Sequence, residues 1–169
     1  MIIFYHLILF FLFSLIVYAA LSDIRDFTIP NFVSIAIVIL YPLMIMVTPD
    51  NVDWVSSLIA ASSVLGVGFI LFTLKLFGAG DIKMIAALSL WAGPSLLTEF
   101  LFVTVMAGGI LVTLIVSREG IRQAFEGTGF ARGVMFAIRS KTQVPYGVAV
   151  AFGSLSILVS YEKIIGISI

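Results

Sequence analysis

The sequence predicts an all-α integral membrane protein, a polytopic bundle of six transmembrane helices with both termini on the non-cytoplasmic side. Three observations support this fold class. Hydrophobic residues make up 62% of the 169 residues and charged residues only 11%, whereas soluble domains have about 45–50% and about 25%. The apolar residues form six stretches, most of them close to the roughly 20 residues that a spanning helix needs. The basic residues occupy alternate loops between these stretches.

Each apolar stretch is predicted to be a helix, because backbone polar groups in lipid must find their hydrogen bonds within the segment. The fourth stretch is short and must tilt little or extend toward Asp81. No linker divides the chain, so residues 1–169 are expected to form a single membrane-embedded domain. The predicted spans are Met1–Leu21, Ile29–Val47, Val55–Leu74, Ile82–Leu96, Phe100–Val116 and Val144–Ser160.

The basic residues predict how the bundle is oriented. Eight of the nine lysines and arginines lie in or beside the loops after the first, third and fifth spans, and five of them cluster between Arg118 and Lys141. The loops after the second and fourth spans contain acidic residues and no basic ones. By the positive-inside rule the basic loops face the cytoplasm. The two termini are then expected on the opposite side.

Composition also excludes several classes of function. The formal net charge is zero, so nothing suggests a nucleic-acid partner. Because there is no cysteine and only one histidine, His6, disulfides, thiol catalysis and the usual zinc motifs are excluded. The sequence has no HExxH, no phosphate-binding Walker loop and no GxSxG. We therefore expect neither a metal nor a cofactor.

Two short polar segments interrupt the apolar pattern, residues 22–31 and residues 77–83, and the predicted topology places both on the cytoplasmic side. Each contains an aspartate next to a span end, Asp23 and Asp81. A solvated loop charge explains either aspartate alone. Two carboxylates held together can hydrolyse a peptide bond, because their mutual repulsion keeps one protonated while the other is ionised and acts as a base.

At these residues the chain resembles a known family. Residues 78–83 read GAGDIK, which fits a GxGDxK motif, and Asp23 is followed by Ile-Pro-Asn at residues 29–31. Residues 144–149 begin with Val-Pro-Tyr-Gly at the start of the sixth span. These three motifs, in this order, resemble those of the type IV prepilin peptidases, which are membrane-embedded aspartic proteases.

The resemblance implies that Asp23 and Asp81 are the catalytic residues. It also implies that the other motif residues shape the site or the approach of the substrate: Gly78, Gly80, Lys83, Pro30, Asn31, Pro145, Tyr146 and Gly147. The implied substrate is a type IV, Flp-like prepilin or a pseudopilin, whose short leader stays in the cytoplasm ahead of an apolar helix. The enzyme would then lie in the inner (cytoplasmic) membrane, with lipid as its surroundings and its active site facing the cytoplasm.

One departure from the larger family members bears on activity. Those proteins carry paired CxxC motifs in an N-terminal domain and also methylate the new N-terminus, whereas this sequence has no cysteine. The resemblance is therefore to the short Tad-type enzymes that process Flp pilins, and peptidase activity without N-methylation is expected. Nothing in the sequence indicates an oligomeric state.

Other interpretations stay open at this point. Asp26 is a rival to Asp23, although a solvated loop position suits it better. A small ion- or proton-coupled transporter subunit also uses paired carboxylates, but such groups tend to lie near the membrane midplane. A scaffold subunit without chemistry would leave the two aspartates unexplained.

Overall fold

The computed structural model describes residues 2–48, 52–125 and 144–167, and these residues form helices and short connections with no strand. Most of the basic loop predicted after the fifth span, residues 126–143, lies outside the described residues, as do residue 1, residues 49–51 and residues 168–169. The helices are α1 (Ile2–Asp26), α2 (Asn31–Val47), α3 (Trp54–Thr73), α4 (Ala79–Phe125) and α5 (Tyr146–Ile167).

The described helices are suited to lipid. Three stretches are long and apolar enough to cross a membrane, Ile3–Asp26, Trp54–Thr73 and Ala79–Arg118, while α2 and Tyr146–Tyr161 are apolar but shorter. Large apolar side chains cover the outside of the bundle, which water would not favour. The prediction of an all-helical membrane protein is confirmed at this level. The count of six spans and the side of each terminus stay predictions.

Helix α4 is broken in its middle. Gly93 has φ 57° and ψ −176°, a left-handed conformation that glycine adopts without steric cost. The next residue is Pro94, which has no N–H for the helix and disfavours helical geometry in the residue before it. We call residues 79–92 the first arm of α4 and residues 94–125 the second arm. The break lies slightly before residues 97–99, the predicted junction between the fourth and fifth spans.

The two arms of α4 lie side by side. Phe77, just before the first arm, packs its ring against Tyr146 with 5.6 Å between centroids. Gly108, on the second arm, approaches the same ring, since a Cβ built on it would lie 3.8 Å from the Tyr146 ring atoms. A straight helix would separate residues 77 and 108 by about 46 Å at 1.5 Å per residue. The chain therefore reverses direction at Gly93 and Pro94.

Hydrogen bonds from aromatic side chains join four helices at the end of the bundle away from Asp23. The Trp91 indole N–H donates to the Ile37 carbonyl at 3.0 Å. The Tyr161 hydroxyl donates to the Trp91 carbonyl at 3.1 Å, and the Tyr5 hydroxyl donates to the Tyr161 carbonyl at 2.7 Å. Trp91 lies in the turn that the Gly93 break interrupts. Its carbonyl thus finds a side-chain donor, as a buried polar group requires.

The start of α3 is fixed by an aspartate cap. The Asp53 carboxylate accepts hydrogen bonds from the Ser56 hydroxyl at 2.5 Å and from the Ser56 N–H at 3.1 Å. These bonds, the hydroxyl one first, lower the pKa of Asp53 below its ordinary value. The cap satisfies one of the free N–H groups at the helix start.

Candidate active site

Asp23 lies in the last turn of α1, and its side chain is 5% exposed. Two bonds close the chain around it: the Phe27 N–H donates to the Asp23 carbonyl at 3.0 Å, and the Ser22 hydroxyl donates to the Thr28 carbonyl at 2.9 Å. Phe27 has φ 50°, a left-handed conformation usually taken by glycine at helix ends. This turn ends α1 and holds the Asp23 side chain toward the interior of the bundle.

The Asp23 carboxylate is bonded to the other end of the chain. The Gly147 N–H donates to Asp23 Oδ2 at 2.6 Å, across 124 residues. Gly147 lies in the first turn of α5, where backbone N–H groups have no partner within the helix. A Cβ at Gly147 would lie 3.0 Å from both Asp23 Cβ and Asp23 Oδ2. The glycine therefore lets the carboxylate approach the α5 backbone.

Asp81 is held by the start of α4. The Ile82 N–H donates to the Gly78 carbonyl at 3.3 Å, which makes Gly78 the cap of the helix. The Asp81 carboxylate lies back toward the Gly78 backbone, as a side chain in this first-turn position does in a capping box. A Cβ at Gly78 would lie 2.8 Å from Asp81 Oδ2. The first glycine of the GxGD motif thus leaves room for the aspartate.

The two aspartates come together at one end of the bundle, and we call Asp23 and Asp81 the aspartate pair. Asp81 is close enough to Asp23 for the two carboxyl groups to interact electrostatically. Asp23 comes from the end of α1 and Asp81 from the start of α4, so helix packing brings together carboxylates that are 58 positions apart in the chain. Asp26, the rival to Asp23, is exposed to solvent. Within the described residues, no group of three or more His, Cys, Asp or Glu side chains could hold a metal ion.

The remaining motif residues connect the three sequence motifs. Gly80 packs against the Ile29 backbone, since a Cβ there would lie 3.4 Å from the Ile29 carbonyl oxygen. The Lys83 ammonium donates to Asn31 Oδ1 at 2.8 Å. Pro30 is the N-cap residue of α2, and Pro145 directly precedes α5. The Asp23 and Ile-Pro-Asn segment therefore contacts both other motifs, and Phe77, directly before the GxGDxK motif, contacts Tyr146.

An apolar groove begins beside the aspartate pair, and we call it the dyad-side groove. It has a volume of about 650 Å³ and is lined by α3, both arms of α4 and α5. Phe77, Ile82 and Tyr146 line it, and they are close neighbours in the chain of Gly78, Asp81 and Gly147. Sequence reasoning missed this groove, and it also missed the direct bond from Gly147 to Asp23. The only signal for that bond was a glycine in the first turn of a predicted span.

A comparison with known protein families identifies the group to which this architecture belongs. The type IV leader peptidase family matches residues 10–113, more than half of the chain. The chain belongs to this family. The matched range of the leader peptidase family includes Asp23 and Asp81, and the Gly147 segment lies beyond it. No curated protein and no solved structure matched the chain. The family resemblance seen in the sequence is thus confirmed.

Proposed function

We propose that this leader peptidase family member is an aspartic endopeptidase that removes the short cytoplasmic leader of type IV, Flp-like prepilins or pseudopilins at the membrane boundary. One observation carries the proposal: Asp23 at the end of α1 and Asp81 at the start of α4 lie at one end of the bundle, where the start of α5 contacts the surroundings of both. The transporter alternative expects carboxylates near the midplane. Here both lie within a turn of a helix end.

In the proposed mechanism the aspartate pair shares one proton. The ionised carboxylate accepts a proton from water, whose oxygen attacks the carbonyl carbon of the scissile peptide bond. The protonated carboxyl donates a hydrogen bond to the carbonyl oxygen as negative charge develops there. The C–N bond then breaks, and the departing nitrogen takes a proton from the pair. The Gly147 N–H keeps Asp23 in a fixed orientation throughout.

The dyad-side groove supports a route for the substrate. The groove runs between α3, α4 and α5, and its lining is apolar. It begins where the aspartate pair lies. Apolar side chains from the segment that follows the leader would occupy the groove, and the scissile bond would lie at the mouth. Binding energy gained away from the reacting atoms would then be used to orient the bond.

The activity is tested by co-expressing the protein with Flp-like prepilins and following leader removal as a mobility shift on a gel. We expect the wild-type chain to shorten at least one such precursor and to leave its N-terminus unmethylated, since we propose a short Tad-type, peptidase-only enzyme. Mass spectrometry of the product measures both properties. An inserted, folded protein that shortens no type IV precursor would contradict the proposal.

We further propose that residues 1–169 form one domain of six spans in the inner membrane, with both termini outside and the aspartate pair facing the cytoplasm. The charge distribution supports this orientation. A reporter that is active only outside the cytoplasm should work when fused after Asn51 or Ile169, and it should be inactive within residues 120–139. The reverse pattern at either kind of position would overturn the orientation.

A further inference from the structure

A second groove lies on another side of the first arm of α4, between α2, α3 and α4. Its volume is about 620 Å³, within the range of about 300–1,000 Å³ found for small-molecule sites. Its walls are mainly aliphatic, and its polar end carries Lys83 and Asn31, near the starts of α4 and α2. We call it the Lys83 groove. Its lining includes Lys83, Asn31, Ile35, Leu58, Leu65 and Leu90.

The positive charge of this groove meets no negative partner within the part of the chain that the structure describes. The Lys83 ammonium is exposed and donates one hydrogen bond, to the neutral amide oxygen of Asn31. No carboxylate among the described residues pairs with it. An ammonium has three donors, so two remain for an anion. The Asn31 amide nitrogen adds further donors beside them.

The Lys83 groove is separate from the aspartate pair. Lys83 follows Asp81 by two residues, which turns its side chain about 200° around the α4 axis. None of the residues that line the dyad-side groove next to the pair (Phe77, Ile82 and Tyr146) lines the Lys83 groove. An occupant of the Lys83 groove would therefore not present a peptide bond to the aspartates, and this argues against a substrate segment.

We propose that the Lys83 groove binds an anionic phospholipid. Its phosphate accepts hydrogen bonds from Lys83 and Asn31 at the end of the bundle, and one acyl chain lies along Ile35, Leu58 and Leu65. An amphiphile with a negative head and an apolar tail complements a groove that has a cation at one end and aliphatic walls. Basic pockets between spanning helices bind lipid head groups in the same way. The proposal does not depend on peptidase activity.

The test compares three forms of the full chain in detergent micelles: wild type, Lys83→Met and Lys75→Met. Lys75 is an exposed lysine in the loop before α4 that lies outside the groove, so it is the matched control. Dioleoylphosphatidylglycerol and dioleoylphosphatidylcholine are titrated separately, with bound lipid counted by native mass spectrometry. We expect phosphatidylglycerol to bind wild type and Lys75→Met more tightly than phosphatidylcholine, and Lys83→Met to bind it about fivefold more weakly, as expected for the loss of about 1 kcal/mol.

A second pair of variants tests the apolar walls without changing the charge. Leu58→Trp should fill the groove and weaken phosphatidylglycerol binding, whereas Ile59→Trp should not, because Ile59 is exposed on the same helix but lines neither groove.

Equal losses in Lys83→Met and Lys75→Met would overturn the proposal in favour of general surface charge. If inorganic phosphate displaces phosphatidylglycerol as effectively as a second lipid does, the groove is a general anion site, which would overturn the lipid proposal. Displacement of the lipid by a prepilin peptide would assign the groove to substrate.

Discussion

Replacing either aspartate by asparagine is expected to abolish leader cleavage. In the proposed mechanism, Asp23→Asn and Asp81→Asn each remove a group that exchanges protons during the reaction, and such acid–base groups contribute about 10²–10⁴-fold to rate. An amide has nearly the same size as a carboxyl, so insertion and packing should be retained. Because the two groups act as a unit, the double variant should be little worse than either single one. Co-expression with an Flp-like prepilin, scored on a gel, measures these rates.

Asp26→Asn is the matched control for this experiment. Asp26 lies three residues after Asp23 in the last turn of the same helix, but its side chain is exposed. The variant should keep substantial activity, because it removes an equal charge from the same end of the bundle without touching the pair. Complete processing by Asp23→Asn or by Asp81→Asn, with Asp26→Asn also active, would be incompatible with an aspartic peptidase.

Gly147→Ala is expected to reduce cleavage by about 10–100-fold through the position of Asp23. The new methyl group would lie 3.0 Å from Asp23 Oδ2 and 3.2 Å from its Cγ, so the carboxyl group must shift by a few tenths of an ångström or lose its bond to the Gly147 N–H. Small displacements of reacting groups cost rates of this order. The loss should appear mainly in kcat. The pH–rate profile should also change, since the bond that stabilises the Asp23 carboxylate is weakened.

Gly66→Ala provides the control for the glycine substitution. A Cβ at Gly66 meets nothing within 4 Å, and the residue lies inside α3 and lines neither groove. Alanine favours a helix over glycine by about 0.5–1 kcal/mol, so neither variant should lose helix stability from backbone preference. Gly147→Ala with wild-type kcat and an unchanged pH profile would exclude a positioning role for this residue.

The sequence predicted the parts of this molecule that depend on local pattern. Apolar stretches predicted the helices, and the spacing of residues 78–83 predicted a helix start with an aspartate in its first turn. Helix ends were less well predicted: α1 continues to Asp26, five residues beyond the predicted span, because the helix does not stop where the apolar residues stop. The break in α4 depends on Gly93, and a Gly-Pro pair inside an apolar run does not by itself reveal how far the chain turns.

Contacts between distant segments were beyond what sequence patterns could predict. That Gly147 bonds Asp23, or that Lys83 bonds Asn31 and not Asp81, follows from how the helices pack and from which side of α4 each residue occupies. The hydrogen bonds of Trp91 and Tyr161 were likewise missed, since aromatic residues in an apolar span look like ordinary lipid-facing or core residues. The Tyr161 hydroxyl becomes important because the break in α4 leaves the Trp91 carbonyl in need of a donor.

The bond between Asp23 and Gly147 also sets an order of events during biosynthesis. The ribosome delivers α1 with Asp23 first and α4 with Asp81 later, and the donor to Asp23 arrives only with α5. At about 5–20 residues per second, the 124 residues between acceptor and donor take roughly 6–25 s to synthesise. Throughout that interval the nascent chain contains Asp23 without the backbone group that orients it. The proposed active site is therefore complete only when the last helix enters the membrane, and we expect unfinished chains not to process precursors.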